Sequence, residues 1–132
     1  KKGLIIIASD IEQLEKWTTL SDNELDTILR EQKIITWIVK KNKNVPYWVS
    51  GEHETIAIRL TKRPIAAALC ATSKSALIST SANITGEEPP KNQVMLRSLF
   101  GDVVDYIVPG DCDSEIGAST IKILTTGEII RS

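Results

Sequence analysis

The chain switches repeatedly between an alternating and a helical hydrophobic pattern. Residues 4–8, Leu-Ile-Ile-Ile-Ala, form a continuous apolar run, the pattern of a strand buried on both faces and central in its sheet. Ser9 and Glu12 then stand at the spacing of a capping box, with Ile11, Leu14 and Trp17 following at helical intervals. Ser21 and Glu24 repeat the device and predict a second helix that buries Leu25, Ile28 and Leu29. Ile35, Trp37 and Val39 alternate with Thr36 and Ile38, which predicts a strand, and residues 40–44 read as a charged turn. In the next strand Ile56, Ile58 and Leu60 alternate with Thr55, Ala57 and Arg59, so Arg59 points away from the aliphatic face.

Pro64 suits a first helical position, and Ile65, Ala68 and Leu69 supply an apolar stripe behind it. Residues 76–78 read as a buried strand and residues 79–91, rich in Ser, Thr, Asn, Gly and Pro, as a loop. A helix is predicted over residues 92–100 with Gly101 as its stop, and a strand over 106–108 ended by Pro109-Gly110. Residues 120–124 and 128–131 are predicted to pair across Thr125-Thr126-Gly127. Alternating strands and helices that end in a hairpin predict a single α/β domain: a twisted mixed β-sheet flanked by helices.

Composition narrows the function classes. A chain of 132 residues is of single-domain size and buries roughly two-thirds of its unfolded surface. No apolar run approaches the ~20 residues of a membrane-spanning helix, and no signal-peptide pattern is present, so a cytoplasmic protein with no membrane partner is expected. The net charge of -1 supplies no global attraction for a phosphate backbone. Cys70 and Cys112 are too few for a disulfide framework or a zinc motif, which favours a reducing compartment.

The single His53 lies in a polar turn, and the glycines form neither a dinucleotide fingerprint nor a Walker loop. Asp111, Asp113 and Glu115 lack the spacing of a calcium loop and read as a solvated segment, so no metal ligands are assigned. Lys40, Lys41 and Lys43 beside Trp37, Tyr47 and Trp48 have the composition of a nucleic-acid surface. A solvated turn flanked by core aromatics is the reading preferred here.

The main candidate for chemistry is Ser79-Thr80-Ser81-Ala82-Asn83-Ile84-Thr85-Gly86. Hydroxyls and an amide that follow a strand end can present donors to phosphate or carboxylate oxygens, although the same residues also close ordinary turns. Arg59 interrupts an aliphatic strand, which is costly unless the guanidinium is paired, solvent-facing or bound to an anion. Thr36 can share its sheet face. Ser119 precedes the last hairpin and Arg131 ends it.

As a set, Lys2-Gly3-Leu4-Ile5-Ile6-Ile7-Ala8, Ile56-Ala57-Ile58-Arg59, Ser79 to Gly86, Ala118-Ser119-Thr120-Ile121 and Ile130-Arg131 resemble the threonylcarbamoyl-adenylate synthase family, the YrdC-like domain, across residues 1–132. The resemblance implies a YrdC-like fold and an enzyme, a nucleotidyltransferase acting in tRNA modification. Such an enzyme joins L-threonine, bicarbonate and ATP into threonylcarbamoyl-AMP and pyrophosphate, with Mg²⁺ on the phosphates. Its product serves tRNA through downstream threonylcarbamoyl-transfer proteins. It implies no covalent nucleophile or catalytic base. Carried over by residue, Ser79, Ser81 and Asn83 would meet the phosphates or the intermediate, with Thr36 beside them. Arg59 would hold the threonine carboxylate or a neighbouring phosphate, and Ser119 and Arg131 would shape the nucleotide pocket.

The sequence departs from the family pattern in two places. Gln32-Lys33-Ile34-Ile35 stands where members have a Pro-Gly-Pro turn before the threonine, so either the turn is altered or loop residues are absent. The opening portion of the domain, with a Pro-Thr-Glu-type segment and a lysine-arginine motif, is also not in the sequence. The expectation is a longer gene product of the short bacterial form, and the 132 residues by themselves are expected to be inactive. The alternative from another class is an RNA-binding module without catalysis, holding tRNA or double-stranded RNA on the concave sheet face.

Overall fold

The computed structural model describes residues 4–110 and 119–132. Among them the order is β1 (Ile5–Ala8), a 3₁₀ turn (Ile11–Leu14), α1 (Asp22–Arg30), β2 (Ile35–Lys40), α2 (Tyr47–Ser50) and β3 (Thr55–Leu60). There follow α3 (Pro64–Ser73), β4 (Leu77–Ser79), α4 (Gln93–Phe100), β5 (Thr120–Ile123) and β6 (Ile129–Arg131). The six strands form one sheet in the order β4-β1-β3-β2-β5-β6. β1 runs parallel to β3 and β2 parallel to β5, while β1/β4, β2/β3 and β5/β6 are antiparallel. This is the mixed α/β sheet that the sequence predicts, with β1 inside it. The chain forms two compact units: residues 4–80 with 119–132, which carry the sheet, and residues 81–110, which carry α4.

Strand alternation divides the sheet into two unlike faces. Ile6 and Ala8 of β1, Ile35, Trp37 and Val39 of β2, and Ile56 and Ile58 of β3 pack with Leu14, Ile28, Val45 and Val49 into the core. The opposite face carries Ile5, Ile7, Thr36, Ile38, Ala57, Arg59, Ile121 and Ile123, since Ile5 pairs with Ala57, Ile7 with Arg59, and Thr36 with Ile121. Most of these are half-buried, whereas Thr36 is fully enclosed.

The helix starts follow the sequence signals with one shift. At α1 the Ser21 hydroxyl accepts from the Glu24 amide at 3.1 Å and the Glu24 carboxylate accepts from the Ser21 amide at 3.0 Å, a complete capping box. At the 3₁₀ turn the cap sits one residue later than Ser9. Asp10 accepts from the Gln13 amide, and Gln13 Oε1 accepts from the Ser9 amide at 2.9 Å. Asp10 is as good a cap as serine, and Gln13 serves in place of Glu12 as the returning side chain.

Several expected burials are overturned. Leu29 is 54% exposed, since the buried stripe of α1 runs through Ile28 with Leu25 half-buried. On α3 the expected stripe Ile65, Ala68, Leu69 faces outward, and Cys70 is the buried residue. A helix apolar at nearly every position, as this one is, does not fix its own phase. Residues 76–78 are not a buried strand either: β4 is at the sheet edge and Ile78 is exposed.

No strand forms at residues 106–108. That stretch is irregular, and the carbonyls of Val108 and Gly110 accept from Gln93 Nε2 at 3.3 and 3.1 Å. Tyr47 and Trp48 are not core aromatics. The one-turn helix α2 buries Val49 and Ser50 and leaves both rings in solvent. Cys112, the acidic residues Asp111, Asp113 and Glu115, and the residues flanking them at 114 and 116–118 lie outside the described residues. Among those described, no helix is long and apolar enough to cross a membrane.

Candidate active site

Four of the residues singled out in the sequence meet on the less covered face of the sheet. Thr36 leaves that face from β2 and Arg59 from β3. They lie one step beyond the paired Trp37 and Ile58, so the two side chains are cross-strand neighbours. Ser119 immediately precedes β5, whose parallel pairing of Thr120 with Ile35 brings it alongside Thr36. Arg131 closes β6 opposite Ile121, itself the partner of Thr36. Two antiparallel pairs, β2/β3 and β5/β6, joined by the parallel β2/β5 contact, thereby bring together residues from four distant points of the chain.

The side chains are hydrogen-bonded to one another. Thr36 Oγ1 and Ser119 Oγ are 2.6 Å apart. Arg59 Nε donates to Thr36 Oγ1 at 3.0 Å and Arg59 Nη2 donates to Ser119 Oγ at 2.8 Å, so the guanidinium straddles the hydroxyl pair. Arg131 approaches from the far side, donating from Nε and Nη2 to the Ser119 carbonyl at 3.2 and 2.9 Å. Ser119 is therefore held at its side chain by one arginine and at its backbone by another.

Among the described residues, every hydrogen-bond partner of the two cations in this cluster is neutral. Among the described residues Arg30 pairs with Asp26 on α1, and neither Arg59 nor Arg131 has a carboxylate partner. Burial first, and the positive charge of Arg131 second, pull the Arg59 pKa down from the ordinary arginine value. Arginine remains charged at neutral pH nonetheless. β3 is an interior strand, and among the described residues no carboxylate pairs with the Arg59 guanidinium. A guanidinium carries five N–H donors, of which two on each arginine are engaged here. The remaining donors and the uncompensated charge suit an anion with several acceptor oxygens.

The polar loop stands in a different relation to this cluster. Ser79 ends β4 opposite Ile5 and shares the face of Arg59. It is separated from Arg59 by two strand spacings and two residues, about 12 Å between Cα atoms. Ser81 and Asn83 belong to the second unit. There Asn83 Nδ2 donates to the carbonyls of Ile84 at 3.2 Å and Glu87 at 2.9 Å, closing a turn within the loop. Among the described residues its Oδ1 has no such partner. His53 is exposed in the turn before β3. Residues 31–34 connect α1 to β2 through a bend, with the Lys33 amide donating to Glu31 Oε1 at 3.1 Å.

Sequence reasoning did not single out Ile7 and Ile121, which flank Arg59 and Thr36 in register on the same face. Their signal was present: each stands on the odd phase of its strand, away from the core set.

Among the described residues, two arginines without acid partners stand over a pair of hydroxyls on one face of a mixed α/β sheet. The Sua5/YciO/YrdC family model, described as telomere recombination, matches residues 1–132, and the chain belongs to that family. Its relatives include the threonylcarbamoyl-AMP synthase of Nitrosococcus oceani, 37% identical over 134 residues that cover 98% of this chain and 71% of that one. The Coxiella burnetii threonylcarbamoyl-AMP synthase is 38% identical over 133 residues, covering 99% and 72%. Among solved structures, P. abyssi Sua5 complexed with L-threonine superposes with a TM-score of 0.79 at 27% identity over 96% of this chain. The chain spans only 38% of that Sua5 chain. E. coli YciO shares the fold, with a TM-score of 0.78 at 22% identity, 98% of this chain and 65% of that one being covered.

Proposed function

We propose that this domain is the catalytic part of a cytoplasmic L-threonylcarbamoyladenylate synthase. The threonine amine and bicarbonate condense to a carbamate with loss of water. A carbamate oxygen then attacks the α-phosphorus of ATP, the bond to the pyrophosphate oxygen breaks, and threonylcarbamoyl-AMP and pyrophosphate result. The observation that carries the reading is the pair Arg59 and Arg131 around Thr36 and Ser119, both without acid partners among the described residues. All three substrates are anionic or carry a carboxylate, and the transition state concentrates negative charge on phosphate oxygens. Preorganised cationic donors stabilise such charge without any covalent enzyme intermediate.

In this reading Arg59 takes the threonine carboxylate or a neighbouring phosphate, and Thr36 and Ser119 fix its guanidinium plane. Arg131 and Ser119 border the nucleotide. Ser79, Ser81 and Asn83 contribute hydroxyl and amide groups to the phosphates or the intermediate. In this reading Mg²⁺ enters as part of the substrate, MgATP, where it neutralises phosphate charge. The product goes on to tRNA through the proteins that transfer the threonylcarbamoyl group.

The test is pyrophosphate release without tRNA, using the full-length protein that contains this domain. Release that requires both threonine and bicarbonate supports the synthase. Release indifferent to threonine overturns it, and tight RNA binding without turnover would favour the non-catalytic RNA-binding module.

A further inference from the structure

The sheet face that carries Arg59 distributes its bulk unevenly. One row crosses it through Ile5, Ala57, Ile38 and Ile123, since Ile5 pairs with Ala57, Ala57 with Ile38, and Ile38 with Ile123. Ala57 is the one member of that row without a branched side chain. β3 lies between β1 and β2 in the middle of the sheet, a setting that β-branched residues fill well and alanine fills poorly. Ala57, Ile5 and Ile38 are all half-buried, so the missing bulk leaves a recess on the face and not a cavity in the core. The chain neighbours Ile56 and Ile58 point to the core, and any atom added at Ala57 would project away from them. Arg59 stands two residues along the same strand, about 6.6 Å between Cα atoms, with Ile7 beside it in register. Its Nε and Nη2 donate to Thr36 and Ser119. Among the described residues that leaves Nη1 and the second hydrogen of Nη2, the end-on pair that can grip a carboxylate.

We propose that this recess receives the β-methyl group of the amino acid whose carboxylate Arg59 holds, and that Ala57 thereby sets a preference for threonine over serine. The inference rests on the synthase reading of Arg59. An amino acid whose carboxylate meets the guanidinium from above β3 lies over that strand, where the adjoining position of the floor is Ala57. Threonine and serine share their ammonium, carboxylate and hydroxyl groups, so charge and hydrogen bonding treat them alike. Burial of the additional methyl group is what tells them apart, and one such group in an apolar pocket is worth roughly tenfold to two-hundredfold in discrimination. Ile5 and Ile38 supply the apolar walls, and Ala57 supplies the room. A β-branched residue at position 57 would occupy the space itself.

The experiment follows the melting temperature of the full-length protein containing this domain against increasing L-threonine or L-serine, without ATP, so that affinity is read apart from turnover. Half-maximal stabilisation is expected at a concentration of threonine at least roughly tenfold below that of serine. Ala57→Val should weaken threonine by about the same factor and leave serine nearly unchanged, so that the preference disappears. Arg59→Ala should weaken both. The melting temperature without ligand checks that the valine variant folds. Should it not, Ala57→Ser, which adds only a hydroxyl, is expected to narrow the preference part of the way. A threonine-to-serine ratio that is the same in the native protein and the folded variants overturns the proposal. So does an equal loss for both amino acids in Ala57→Val, or no stabilisation of the native protein by either. Weakened stabilisation by ATP with threonine affinity intact would overturn it too, by placing the nucleotide over Ala57. Threonine-selective binding that depends on Ala57, without pyrophosphate release, would keep the recess and remove the synthase reading. Threonine-dependent release with a preference unmoved in Ala57→Val would do the reverse.

Discussion

Arg59 Nη2 donates to Ser119 Oγ at 2.8 Å, across 60 residues of sequence. The bond ties an interior strand to the terminal hairpin, and among the described residues Arg59 has no carboxylate partner. Structural arginines usually find an acid. Among the described residues this one spends its fork on hydroxyls.

Arg59→Ala should therefore reduce threonine-dependent turnover by roughly ten- to a hundredfold, the range set by hydrogen bonds to charged groups. Thermal stability should change little, because the variant also removes a partly buried cation repelled by Arg131. Arg59→Lys should rescue poorly, since an ammonium cannot reproduce the fork across two hydroxyls. Loss of activity only in step with unfolding would return Arg59 to a structural role.

Thr36→Val keeps the shape of a fully buried side chain and deletes its hydroxyl. Arg59 Nε and Ser119 Oγ each lose a partner, which should cost about 1–3 kcal/mol and lower the melting temperature by several degrees. Thr36→Ser, which restores the hydroxyl, should recover most of the activity. A defect in Thr36→Ser with Thr36→Val near the native protein would show that the methyl group, not the hydroxyl, matters.

An anion that binds the arginines should stabilise the folded protein. Pyrophosphate at a hundred times its dissociation constant contributes about 2.7 kcal/mol, readable as a rise in melting temperature. The rise should vanish in Arg59→Ala and shrink in Arg131→Ala. An undiminished rise in both would place the anion elsewhere.

Asn83 is best probed with two replacements. Asn83→Ala removes the bonds to the Ile84 and Glu87 carbonyls as well as any contact with nucleotide. Asn83→Asp keeps an acceptor, loses the donors and adds a negative charge. If the residue faces phosphate, the aspartate variant should raise the KM for ATP more than the alanine variant does. Equal effects would assign Asn83 to its turn.

Ser21→Ala offers a control remote from the site. It breaks one half of the capping box on α1 and should cost about 1 kcal/mol of stability with kcat/KM unchanged.

The alternating strands were legible because period-two patterns place Thr36 and Arg59 opposite the aliphatic set without reference to anything distant. The meeting of Ser119 with them was not, since it depends on the parallel register of Ile35 with Thr120, which no local pattern encodes. The edge position of β4 was hidden for a related reason: three apolar residues read alike in the middle or at the rim of a sheet. On α3 the alanines blurred the phase. Tyr47 and Trp48 were misread because ring size argues for burial, whereas a helix of one turn has room to bury only Val49 and Ser50.

The hydroxyl pair Thr36 and Ser119 closes a loop of 83 residues. Closure entropy grows only with the logarithm of that length, so the finished protein bears it easily. The folding chain is affected differently, because contacts so far apart form slowly and reward nothing until they do. On refolding, β1, β2 and β3 can collapse around their shared core while the arginines still lack their common anchor. Secondary structure should then return before affinity for anions does, and that lag would time the arrival of the terminal hairpin.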